Sequence, residues 1–257
     1  MPIYLSKTGY GYTYKKETQH KNNKNKKLGA KFFIFVIIII IIIILIVVVI
    51  YTGVRFFSKR VVNNERYLYA INILTTNNFD EANLTSEYAK NQGAGGYVYA
   101  CDNEYVVLLS CYSSEEDANK VMSNLNENGY KVSLYKIEFP SYKSNENNFT
   151  KAVDVFFDTY KELYNLSVKY DKNEIENEDF KNNLKMLISK NEQIFNDFNK
   201  YYEGSSVKGI IYTKIYLQFL NDNLNELYNK NNNLSSEIKS HYFYVIFLYK
   251  QLLQNIQ

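Results

Sequence analysis

The stretch "NEYVVLLSCYSSEEDANKVMSNLNENGYKVSLYK", Asn103 to Lys136, decides how the chain is read. Its first part, "YVVLLSCY", is rich in apolar and β-branched residues and predicts a strand. "SSEE" follows, with side-chain oxygens and acids suited to a helix N-terminus. Ala118, Val121, Met122 and Leu125 then recur at helical spacing on a narrow apolar face. Gly129 can take the left-handed conformation that stops a helix, and "YKVSLYKI" returns as a strand. Shifting this unit back by 36 residues superposes Tyr105 on Tyr69, Ala118 on Ala82, Asn119 on Asn83, Gly129 on Gly93 and Tyr135 on Tyr99. "YLYAINILTTNNFDEANLTSEYAKNQGAGGYVYA" is therefore a second copy, and the two together read βαββαβ around a hairpin turn at Asp102-Asn103-Glu104.

Right-handed crossovers place both helices of such a unit on one face of a four-stranded antiparallel sheet. The period of two along a strand assigns Tyr69, Ile71, Ile73, Tyr105, Val107 and Leu109 to that face. Ala70, Asn72, Leu74, Val106, Leu108 and Ser110 face the other way, joined by Tyr97, Tyr99, Ser133 and Tyr135. An aromatic and polar sheet face of this kind can stack sugar rings, or it can pack against another domain. The pattern leaves both open.

The segment from Tyr67 to Glu138 resembles the SPOR domain, whose halves read as an apolar strand, a turn, Ser-x-Glu-x-Ala, a spaced Leu and a Gly-Tyr. Tyr112, Ala118, Leu125, Gly129 and Tyr130 carry the likeness. It implies an α+β unit of the ferredoxin-like or RNP-like kind. It also implies binding to peptidoglycan glycan strands stripped of their peptides, at sites of cell division or sporulation. The ligand-binding residues it implies on the outward sheet face are Asn72, Thr75, Tyr97, Tyr99, Leu108, Ser133 and Tyr135. Asn72 stands where the family often has Gln, and Thr75 where it often has Ser. Leu74 and Ser110 replace a strand-end glycine, and Thr76 replaces an aromatic residue.

Outside this unit, Phe32 to Val54 is an uncharged run of 23 residues between Lys31 and Arg55, where about 20 apolar residues span a bilayer as a helix. Eight lysines precede the run against the single acid Glu17, which predicts a single-pass protein with a cytoplasmic N-terminus. The expected division is a basic tail over 1–31, the span over 32–54, a linker over 55–66, the SPOR-like unit over 67–138, a second linker over 139–147 and a helical bundle over 148–257. In the bundle, Phe149 to Ser167, Phe180 to Phe198, Val207 to Tyr228 and Ile238 to Ile256 show helical periodicity. The aromatic run "HYFYVIFLYKQLL" has only eight uncharged residues between His241 and Lys250, too few to span a membrane, and reads as a core helix.

The net charge of +3 does not point to a nucleic-acid partner. Cys101 and Cys111 read as separate thiols, since some seven residues of strand between turn and thiol hold them roughly 20 Å apart. The two histidines, His20 and His241, make no metal cluster. "GAGG" precedes a strand instead of following one, so it is no phosphate loop. "DKNEIENEDF" lacks a calcium loop's glycine and ligand spacing. Non-enzymatic binding follows, with no cofactor. The choice lies between a membrane-anchored wall-binding protein and an envelope scaffold whose sheet face and bundle bind protein partners.

Overall fold

The computed structural model describes residues 67–257, apart from 143 and 145. Strand β1 (Tyr67–Thr76) leads through α1 (Phe79–Asn91) to β2 (Tyr97–Cys101), and β3 (Glu104–Tyr112) through α2 (Glu115–Glu127) to β4 (Ser133–Glu138). All neighbours pair antiparallel, in the order β2-β3-β1-β4. Each β–α–β passage thus steps over one strand of the other half. Asp102 and Asn103 both have positive φ, 47° and 69°, the turn that matches the twist of a two-residue hairpin.

The 36-residue offset reaches down to single hydrogen bonds. Helix α2 starts and stops 36 positions after α1. Asn78 and Ser114 cap the two helices through their side-chain oxygens, which accept from Glu81 N and Asp117 N, both at 3.3 Å. Ala94 N donates to Ala89 O, and Tyr130 N to Leu125 O, both at 3.0 Å. Gly93 and Gly129, at φ 80° and 88°, end the helices in the conformation a Cβ disfavours.

Two bulges interrupt the pairing of β1 with β3. Ile71 pairs with Ser110, Asn72 with Leu108 and Leu74 with Val107, which leaves Leu109 and Ile73 as extra residues. An extra residue breaks the alternation of sides. Ser110 consequently lies with Ile71 and Tyr112 on the α1–α2 side, its hydroxyl 3.1 Å from the Tyr112 hydroxyl, and Leu74 is turned likewise. The outward positions expected for both are corrected by these bulges.

Four longer helices follow: α3 (Asn147–Asp171), α4 (Asn177–Tyr201), α5 (Lys208–Asn229) and α6 (Leu234–Asn255). The break at "YDKNEIENE" falls between α3 and α4, with Asn173 at φ 54° and Glu176 and Asp179 forming a capping box. Neighbours around the bundle are α3–α4, α4–α5, α5–α6 and α6–α3. Ile71, Ala89, Leu109 and Ala118 form a small core beneath α1 and α2. The larger core runs without interruption from Leu68, Ala70, Val106, Leu108 and Ile137 of the sheet into Phe156, Leu163, Tyr242, Phe243 and Val245 of α3 and α6.

These findings correct the expected fold class. Among the described residues no helix is long and apolar enough to cross a membrane. The expected tail, span and juxtamembrane linker, 1–66, lie outside the described residues. The sheet is not a free-standing unit followed by a bundle: 63% of the described residues are helical, and they all fall in one compact unit. The physical reason is burial. A sheet with two apolar faces must cover both, and α6, which buries twelve of its residues, covers the one that α1 and α2 leave open.

Candidate functional site

The seven residues expected to bind glycan separate into two groups. Tyr97 stacks on Phe243 and Phe247 with ring centroids 5.7 and 5.6 Å away. Tyr99 lies 3.8 Å from Phe247, and Tyr135 meets Tyr99 edge-on at 6.3 Å. Leu108 is fully buried. Burial raises the pKa values of the Tyr97, Tyr99 and Tyr135 phenols. Tyr97 and Tyr99 form the seam between the sheet and α6, with Leu108 in the same core and Tyr135 packed against it.

Asn72, Thr75 and Ser133 come together at the far end of the same face. Asn72 is buried; its Nδ2 donates to Thr75 Oγ1 at 2.9 Å and to Ser133 Oγ at 3.2 Å, while its Oδ1 accepts from Leu74 N at 3.0 Å. All of its polar atoms are thereby engaged in holding the bulge. Thr75 and Ser133 remain exposed.

The loop that carries "GAGG" has a different task. Lys239 Nζ donates to Gly93 O at 2.7 Å and lies 2.7 Å from the Asp171 carboxylate. Ser235 Oγ donates to Asp171 Oδ1 at 2.6 Å. A Cβ on Gly95 would meet Leu109 O at 3.0 Å, Lys239 Cβ at 3.2 Å and Phe243 Cε2 at 3.3 Å. The glycines form the seat on which α6 lands. Nearby, Cys111 N donates to the hydroxyl of fully buried Tyr242 at 3.2 Å.

The open surface carries two further features. A cleft of about 460 Å³ lies where α1, β2, α5 and α6 meet, with Tyr97, Asn223, His241 and Tyr244 among its walls. Lys230 bridges Glu226 at 3.2 Å and Glu237 at 3.5 Å, and His241 Nε2 faces Glu237 at 3.6 Å. The neighbouring His241 imidazole and the charge of Lys230 hold the Glu237 carboxyl below its usual range. Ile211, Ile215 and Phe219, the last also a wall of the cleft, form an outward stripe along α5 that begins at its N-cap Val207, each at least 42% exposed. Sequence periodicity identified the helix and missed the stripe. The signal was there in apolar residues recurring every four positions in addition to the inward Leu217, Leu220 and Leu224. Among the described residues no three metal-ligating side chains converge. Compared with known proteins, the chain matches no family model, no curated protein and no solved structure.

Proposed function

We propose that this chain is a non-enzymatic assembly or scaffold protein whose sheet and bundle act as one rigid body and bind protein partners through the helices. The observation that carries this reading is the stacking of Tyr97 and Tyr99 against Phe243 and Phe247. A glycan-binding face needs those rings open, and here they are spent on internal cohesion. Exposed apolar side chains lie instead on the helices, with Ile211, Ile215 and Phe219 in a row on α5 and Leu84 and Tyr88 on α1, and contiguous apolar surface of the α5 kind marks protein contacts. The resemblance to the SPOR family points to the cell envelope, at sites of division or sporulation, as the setting.

Retention on peptidoglycan separates the two readings. The chain is expected to be held equally on intact peptidoglycan and on material stripped of peptides by an amidase; preferential retention on the stripped material would overturn the scaffold reading in favour of wall binding. The variant carrying both Asn72→Ala and Tyr135→Ala is expected to lower the unfolding midpoint, because it removes a bulge clamp and a ring packed against the core. Full stability with lost retention would place a ligand there.

A further inference from the structure

Helix α5 carries a pattern that is symmetric about one residue. Ile215 has Ile211 four positions before it and Phe219 four positions after it, all outward, at 42, 42 and 43% exposed. Seven positions before it stands Lys208, and seven after it Asp222, both exposed. Neither makes an ion pair among the described residues: Lys208 Nζ sits 5.5 Å over the Tyr212 ring, and Asp222 accepts from Gln218 Nε2 at 2.8 Å. Spacings of three and four keep all five side chains on one side of a helix.

We infer that α5 pairs with α5 of a second copy of this chain, antiparallel, about a two-fold axis at Ile215. This rests on the protein-binding reading and names the partner. A two-fold interface brings the same patch of both copies together, so residue n meets residue 430 − n about an axis at 215. Ile215 then meets its own counterpart, Ile211 meets Phe219, and Lys208 meets Asp222 twice. The apolar centre loses water, and the two ion pairs at the rim fix direction: a parallel arrangement would put Lys208 against Lys208 and Asp222 against Asp222. The five positions cover about 21 Å of helix at 1.5 Å per residue. One helix per copy buries less than the roughly 1,600 Å² of a standard interface, so the dimer is a reversible one.

Charge reversal in the full-length chain tests the pairing. A photo-crosslinking residue replaces Ile215, and Lys208→Asp, Asp222→Lys and the double exchange are made on that background. The unaltered charges are expected to give an adduct of twice the chain mass. Either single reversal should reduce it about tenfold, a loss of about 1.4 kcal/mol, and the double exchange should restore it. All these residues are exposed, so folding, followed by circular dichroism, is expected to stay unchanged. Adducts of any other mass would overturn self-pairing and leave the scaffold reading standing. No adduct at all would overturn both. A double-mass adduct indifferent to the reversals would overturn the antiparallel geometry and with it the inference.

Discussion

At Tyr242 one hydroxyl ties α6 to β3 inside the shared core. Its hydroxyl is the acceptor for Cys111 N, in a place where Tyr242 is 1% exposed. Tyr242→Phe keeps the ring and strands that amide, which costs about 1–3 kcal/mol; the urea midpoint should fall with little change in slope. Gly95→Ala tests the seat of α6. The added methyl meets a carbonyl at 3.0 Å and a ring edge at 3.3 Å, and such overpacking costs about 1–3 kcal/mol. Gly129→Ala is the contrast, since nothing lies near its Cβ and only its φ of 88° is penalised, at about 1 kcal/mol. The thiols differ in the same spirit. Burial pushes the Cys111 thiol up to about 12, whereas Cys101 is partly exposed. A thiol reagent at mildly alkaline pH should count one cysteine in the native chain and two in denaturant. Two in the native chain would mean that the seam opens.

Among the helices, α6 buries the most side chains, twelve. Phe247 is 3% exposed and touches both Tyr97 and Tyr99, so Phe247→Ala should destabilise by about 3–5 kcal/mol, cavity included. That loss should appear in near-ultraviolet circular dichroism, because the stacked rings lie on the seam. The sheet strands and their two helices could be read from sequence because their signals are local: capping oxygens at Asn78 and Ser114, stopping glycines at Gly93 and Gly129, and a 36-residue echo of both. The bulges could not. Nothing in "YAINILTT" or "VVLLSCY" marks Ile73 and Leu109 as extra residues, since a bulge is settled between two strands and not within one. Leu74 and Ser110 were misassigned for that reason. The same limit hid the cover of the sheet. A period of two tells which residues share a face and is silent on what lies over it, so Tyr97, Tyr99 and Tyr135 suited a sugar ring and a phenylalanine alike.

In the molecule as a whole, the continuous core from Leu68 to Leu253 predicts one unfolding transition. Far- and near-ultraviolet signals should share a midpoint. An earlier melting of the helical signal would show that the bundle is a separate domain. The polar clasp of Asp171, Ser235 and Lys239 on Gly93 adds to this unity, joining the end of α3 and the start of α6 to the loop before β2. That joint also sets a schedule for synthesis. Cys111 and Tyr242 are 131 positions apart, and α6 leaves the ribosome long after β3 has done so. Until then the newborn chain has a sheet with one finished face and one bare face, a row of aromatic and aliphatic groups open to chance contacts. Chains with such distant contacts fold slowly and are prone to aggregate while incomplete. Translation speed and chaperone supply, more than the stability of the finished fold, should therefore govern how much of this protein a cell obtains.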